Sequence, residues 1–164
     1  MNPITVLKRV DLKNILKVIF IGLGHPLYIV PTLQATKQCM KISTDLYGRL
    51  HHKNGPSNAF RHALWNFLIA KRCYHWKANK HKVVAWTKKI TDWHENAFPN
   101  RGLAKKMDLH NNAVGRFIFE ENIDTVETEI VELFKKMAHK SIKVDANTDL
   151  TGLQRCLVHI TSEE

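Results

Sequence analysis

The chain of 164 residues lacks the signatures by which most enzymes and metal proteins are recognised in sequence. Its three cysteines, Cys39, Cys73 and Cys156, are odd in number and form no C-x-x-C pair. That excludes a disulfide framework and a cysteine zinc finger, and leaves three small hydrophobes suited to a reducing cytoplasm. There is no H-E-x-x-H helix, no G-x-S-x-G elbow, no G-x-x-x-x-G-K-[ST] loop and no glycine-rich dinucleotide loop. No internal repeat, low-complexity segment or long linker divides the chain, so residues 1–164 read as a single domain with a core of its own. Runs of alternating apolar and polar residues are missing, which argues against a sheet.

Acidic residues are also scarce. Against 15 Asp and Glu stand 25 Lys and Arg, a formal charge of +10, and the ten His add to it below about pH 6.5. A balance of this sign favours anionic partners: a phosphate-bearing substrate, a membrane surface, or nucleic acid, which charge alone does not exclude. Composition is otherwise that of a globular protein, with 44% hydrophobic and 9% aromatic residues. Nothing in it specifies an oligomeric state.

At the N-terminus Lys8, Arg9, Lys13 and Lys17 precede the apolar stretch VIFIGLGHPLYIVP, residues 18–31. A signal peptide is not expected: the basic region is long, His25-Pro26 interrupts the apolar run, and no small-x-small site follows. The run is also shorter than the roughly 20 residues needed to span a bilayer. Residues 1–31 are therefore either a buried helix–turn element, the commoner outcome for such a run, or a membrane-interfacial segment of a cytoplasmic protein.

Apolar periodicity predicts helices over 11–23, 26–47, 57–77, 80–96, 103–120 and 123–140, an all-α domain of about six helices. Asp11 is expected to cap the first helix, and Ser57 or Asn58 the third. Glycine and proline place turns at 24–26, 51–58 and 98–102, and Pro31 falls early in the second helix. The sixth is signalled by Ile123, Val126, Ile130, Leu133, Phe134 and Met137, with Asp124 at its start and Lys136 and His139 at its end. Residues 141–164 are ambiguous, CLVHI being equally a helix end or a short strand.

Three polar clusters interrupt this apolar pattern. Asn58, His62 and Asn66 recur every fourth residue and share one helix face, with Arg61 and Trp65 beside them. His94 and Glu95 are adjacent, so they point about 100° apart on a helix and suit a shared metal less well than an i, i+4 pair. A Glu95 carboxyl buried near Trp93 or Phe98 would have a raised pKa and serve as an acid or base. The third cluster, MDLHNNAVGR, puts Asp108, His110, Asn111, Asn112 and Arg116 into nine residues that a helix needing only stability would fill with Ala, Glu and Lys. On a helix Asp108, Asn112 and Arg116 align, as do Asn111 and Gly115. Gly115 costs about 1 kcal/mol relative to Ala and lets another helix or a ligand approach closely. Such density points to a polar cavity in which Asp108 binds a His or a cation and Arg116 forks onto an anion. His52, Asn66 and His75 approach the spacing of an H-N-H nuclease. That motif requires a strand–strand–helix metal element, however, and Asn66 falls inside an apolar helical run.

Arg61-His62-Ala-x-Trp65, then His94-Glu95, then Asp108-x-x-Asn111-Asn112-x-x-Gly115, in this order, resemble an uncharacterised bacterial helical domain family. Its members occur as small standalone proteins and as C-terminal modules of polymorphic secreted toxins. The resemblance covers residues 54–120, the motif-bearing core. It carries no established activity, although the toxin context implies an enzyme.

The expectation is a small all-α hydrolase acting on an anionic, phosphate-bearing substrate, a phospholipid among the candidates. Glu95 is the expected acid or base. His62, His94 and Asp108 would orient it or bind a divalent metal, while Arg61, Asn66, Asn111, Asn112 and Arg116 would hold the substrate. The alternative is a non-enzymatic, membrane-peripheral or partner-binding protein whose polar motifs form a structural network.

Overall fold

The computed structural model describes residues 11–97 and 102–162, and among these six helices and one two-stranded ladder carry the fold. They are α1 Leu12–Leu23, α2 Pro26–Tyr47, α3 Pro56–Trp76, α4 Lys80–Ala97, α5 Gly102–Glu121, α6 Glu127–His139, β1 Ile142–Lys143 and β2 Val158–His159. A short 3-10 turn, Leu50–His52, joins α2 to α3. The all-α expectation holds. Residues 1–10, with Lys8 and Arg9, and residues 98–101 of the expected turn at 98–102, with Phe98, lie outside the described residues, while Gly102 opens α5.

The organising element is α3, which packs against α2, α4, α5 and α6. Its buried residues run from Ser57 to Cys73 on every side, the pattern of a helix inside a bundle rather than on its surface. Phe67 lies edge-on to both Phe119 of α5 and Phe134 of α6, with ring centroids 6.0 Å apart in each case. Gly55 precedes Pro56, which takes the first helical position, where its missing N–H costs nothing. Ser57 and Asn58 therefore lie inside the first turn rather than capping it. They are buried, and Asn58 Nδ2 donates to the His51 carbonyl instead.

Two other helix starts differ from expectation. Asp11 occupies the N-cap position of α1, but its side chain makes no capping bond. Residues 122–126 form a turn held by the Thr125 N–H on the Asn122 carbonyl, so α6 begins at Glu127 and Asp124 lies outside it. Val126 is accordingly exposed, while Ile130 and Phe134 face the core. The ambiguous tail resolves as a strand. β2 pairs in parallel with β1, Ile142 opposite Val158, and the N–H groups of Ile160 and Thr161 both donate to the Asn54 carbonyl. Met107, Val144 and Val158 form a small second core beneath this ladder.

The N-terminal segment does not take the buried outcome. In α1 only Ile21 and Gly22 are buried, while Leu12, Leu16, Ile19, Phe20 and Leu23 are open to solvent. The connection to α2 is a sharp elbow through Gly24 and His25, with Pro26 at the first position of α2. Trp93 of α4 holds α1 in place by donating from Nε1 to the Asn14 carbonyl at 3.0 Å. Pro31 sits inside α2 and is buried. Cys39 and Cys73 are buried thiols, and Cys156 is half-buried.

One contact brings α3 and α5 unusually close. A Cβ added at Gly115 would lie 2.1 Å from the Ala63 carbonyl oxygen and 2.9 Å from the Ala63 Cα. No rotamer relieves a clash with backbone. Although Ala is the better helix former, Gly115→Ala should destabilise the fold by about 3 kcal/mol or more in denaturant unfolding. Gly102→Ala, where nothing lies within 4 Å, should be neutral or stabilising by less than about 1 kcal/mol. Equal stability of the two variants would show that the helices do not meet at Gly115.

Candidate active site

The close approach of α3 and α5, with α4 across the gap, brings the three polar clusters together. Each helix contributes residues in i, i+4 register: His62 and Asn66 from α3, Thr91 and Glu95 from α4, and Asp108, Asn112 and Arg116 from α5. All seven are buried, Glu95 at 2% and Asp108 at 1% exposure. Arg61, Trp65 and His94 are half-buried around them.

Asn112 is the hub. Its Oδ1 accepts from Asn66 Nδ2 at 2.6 Å and lies 3.2 Å from His62 Nδ1, and its Nδ2 donates to Glu95 Oε1 at 3.3 Å. Asn66 Oδ1 in turn accepts from Arg116 Nη1 at 2.7 Å and from the Thr91 hydroxyl at 3.1 Å. Two side-chain amides thus form a neutral relay between a guanidinium and a carboxyl group. An amide does this because it donates and accepts at once.

The His62 tautomer follows from its neighbours. Arg61 Nη2 lies 2.6 Å from His62 Nε2, and a guanidinium can only donate, so Nε2 is the acceptor. The ring proton then sits on Nδ1 and points at Asn112. Asp108 Oδ1 is 3.3 Å from the same Nε2, and Glu95 Oε1 is 3.6 Å from Nδ1. The imidazole is therefore flanked by one carboxyl group on each nitrogen. Burial, then the charge of Arg61 and of His94, holds His62 neutral, with its pKa well below the usual value. Burial and the nearby Asp108 push the Glu95 carboxyl up to about 7, against the opposing hydrogen bond from Asn112 and the charge of Arg61. His94, edge-on to Trp65 with centroids 5.1 Å apart, is lowered to about 4 by burial and by Arg61.

Of the residues expected at the site, His62, Glu95, Asp108, Asn66, Asn112, Arg116 and Arg61 come together, with His94 at the edge. Asn111 does not join them. It faces the tail, donating to the Val158 carbonyl and accepting from the Val158 N–H, both at 2.9 Å. The expected substrate holders also differ from an open anion cradle. Arg116 is engaged with Asn66, and Arg61 donates from Nη1 to the His51 carbonyl at 2.6 Å as well as to His62. No group of three or more His, Cys, Asp or Glu is arranged to hold a metal ion among the described residues, so the donor set does not fit the divalent metal that the sequence left open. The H-N-H spacing is coincidental, since Asn66 lies mid-helix in α3, with no strand before it among the described residues.

Sequence reasoning missed two contributors. Thr91 lies four residues before Glu95, but a threonine in a helix carries no chemical signal until its partner is seen. The His51 carbonyl anchors both Arg61 and Asn58, and no residue type encodes a backbone acceptor.

The raised Glu95 pKa makes a pH prediction with a definite sign. Glu95 binds its proton more tightly folded than unfolded, so its contribution to stability is complete below about pH 4.5 and is lost as pH rises through about 7. The histidines act oppositely: His62 and His94 are held neutral, so their contribution is present above about pH 6.5 and is lost on acidification. Comparing Glu95→Gln with the wild type isolates the first effect. The variant should match wild-type stability near pH 5 and exceed it by roughly 2–3 kcal/mol above pH 8, read by thermal melting across pH. A variant less stable than the wild type above pH 8 would mean that the ionised carboxylate is itself a stabilising partner.

No curated protein and no solved structure matches the chain. Residues 19–142 do match a family described as Domain of unknown function (DUF6973). The matched region extends beyond the three motifs on both sides, and every residue of the buried cluster falls within it. The chain belongs to this family.

Proposed function

We propose that the protein is a small hydrolase of anionic, phosphate-bearing substrates in which Glu95 transfers the proton. The observation that carries this reading is the Glu95 carboxyl, raised to about 7 and hydrogen-bonded through Asn112 to a neutral His62. A general base works best when its pKa lies near the working pH, and a carboxyl group reaches that range only when its surroundings are built against its charge. In this scheme ionised Glu95 takes a proton from the attacking water. Asn112 fixes the carboxylate through Oε1, and His62 holds Asn112 in the orientation that presents its Nδ2. The half-buried guanidinium of Arg61 supplies positive charge beside Asp108 and Glu95, where a phosphoryl oxygen would approach. The likeness of the three motifs to modules of polymorphic toxins supports an enzyme. The formal charge of +10 supports an anionic substrate.

A second reading has its own observation. Glu95 and Asp108 are 2% and 1% exposed, and the amides of Asn66 and Asn112 spend their bonds on one another. This is what a polar network that fixes helix packing requires.

Turnover separates the two. The wild type should hydrolyse an activated phosphodiester or an anionic phospholipid, with a rate that rises through about pH 7 as Glu95 ionises. Glu95→Gln should lower that rate at least about 100-fold while the variant stays folded. Wild-type and Glu95→Gln protein acting equally, or neither acting on any phosphate ester, would remove the hydrolase and leave the structural network.

A further inference from the structure

The elbow between α1 and α2 carries two features that the buried cluster does not use, and they adjoin one another. The first is apolar. Leu12, Leu16, Ile19, Phe20 and Leu23 follow i, i+4, i+7, i+8, i+11 spacing and form one stripe along α1, on the side turned away from α4. Phe20 and Leu23 are 71% and 70% exposed. The stripe continues past the elbow through Leu27, Val30 and Leu33 of α2, each 47% exposed or more. A contiguous patch of this kind marks an interaction surface.

The second feature is basic. Beneath the elbow lies a hollow of roughly 580 Å³, lined by Leu27, His25 and the face of α4 that carries Lys82, Trp86 and Lys89, with Lys77 at its rim. The aromatic wall is tied to the helices behind it. The rings of His25 and Trp86 are 5.2 Å apart, and Trp86 Nε1 is anchored on the Thr32 hydroxyl at 2.9 Å. Leu27 belongs to both features and joins the hollow to the apolar stripe.

We propose that this elbow docks on an anionic bilayer surface, with the α1–α2 stripe entering the boundary between headgroups and acyl chains and the hollow receiving a lipid phosphate. Charge complementarity selects this occupant over a second copy of the chain. Between Asp11 and Asp92 the sequence holds a single acidic residue, Asp45, which is paired with Lys41 at 2.5 Å. A second copy would bring five like charges, those of Lys13, Lys17, Lys77, Lys82 and Lys89, against their duplicates. On the helical wheel Lys13 and Lys17 flank the stripe, where their stems lie along the apolar surface and their ammonium groups reach phosphates. Length selects an interfacial position. At 12 residues α1 is about 18 Å long, and α2 turns away from it by 117°. No single helix among the described residues is long and apolar enough to cross a membrane. An amphipathic element with lysines beside its apolar face lies in the plane of the interface. This docking goes beyond the acid–base reading and does not depend on it.

The test uses the full-length chain and sedimentation with phosphatidylglycerol-containing or pure phosphatidylcholine vesicles. The wild type should bind the anionic vesicles at least about tenfold better than the neutral ones, and added salt should weaken the binding. Phe20→Ser combined with Leu23→Ser should reduce binding about tenfold or more with an unchanged melting temperature, because both side chains are already exposed. A triple change of Lys77, Lys82 and Lys89 to Gln should do the same. Glu95→Gln should bind as the wild type does, so loss of turnover and loss of docking are read separately. Equal binding to both vesicle types, or variants that bind as the wild type does, would overturn the proposal. So would a wild-type dimer in light scattering that Phe20→Ser with Leu23→Ser converts to monomer, since the patch would then belong to a second copy.

Discussion

The closeness of α3 and α5 at Ala63 and Gly115 is the constraint on which the rest depends. Hydrogen bonds between side chains of two helices tolerate only a few tenths of an ångström in either direction. The pairs His62–Asn112, Asn66–Asn112 and Asn66–Arg116 all cross this one interface, at 3.2, 2.6 and 2.7 Å. These side chains are short, except for Arg116, and short side chains meet only when the backbones do. A larger residue at 115 would push the helices apart, and the Asn–Asn pair would be the first to separate. The glycine is thus a positioning device for groups within one turn of it, Asn112 before it and Arg116 after it. Its poor helix propensity is offset by the contact it permits.

That spacing also determines the electrostatics. With Glu95 and Asp108 buried between the helices, charge at the cluster is compensated chiefly by the neighbouring side chains. Arg116 and Glu95 are linked through Asn66 and Asn112, and the two amides carry polarisation between them. His62 remains neutral because it is buried and, next in weight, because the Arg61 guanidinium lies against one of its nitrogens. Glu95 is left as the group whose protonation is most finely balanced, with burial and Asp108 acting against ionisation and Asn112 and Arg61 acting for it. A single proton at Glu95 therefore changes the charge of a buried region, where the neighbouring side chains carry most of the compensation.

Much of this was legible from residue types and spacing. Six helices followed from apolar periodicity, because a bundle buries one stripe of each outer helix and that stripe repeats every three to four residues. The convergence of the motifs was also legible, since His62, Glu95 and Asn112 sit on otherwise apolar faces and buried polar groups require partners. Other features were not legible, for physical reasons. Ser57 and Asn58 looked like caps because capping chemistry is local, whereas Pro56 sets the helix start one residue earlier through its own fixed φ. Asp124 resembled a helix start because the turn at 122–126 competes for the same backbone groups. The N-terminal segment was left between burial, the commoner outcome for an apolar run, and a membrane-interfacial position, because periodicity cannot tell a stripe that faces the core from one that faces away. Asn111 looked identical to Asn112.

That last pair has a consequence beyond this molecule. Adjacent asparagines on α5 answer to unrelated demands: Asn112 bonds with the side chains of His62, Asn66 and Glu95, whereas Asn111 bonds with the backbone of Val158. A change at position 112 can be compensated by a change in any of three partners, and such compensation leaves correlated substitutions among relatives. A change at position 111 has no side chain to compensate it, because every residue type at 158 other than proline presents the same N–H and C=O. In any relative that keeps this dipeptide, then, the first asparagine should vary alone or not at all, while the second drifts in company. A motif written as two identical letters records one constraint of shape and one of partnership.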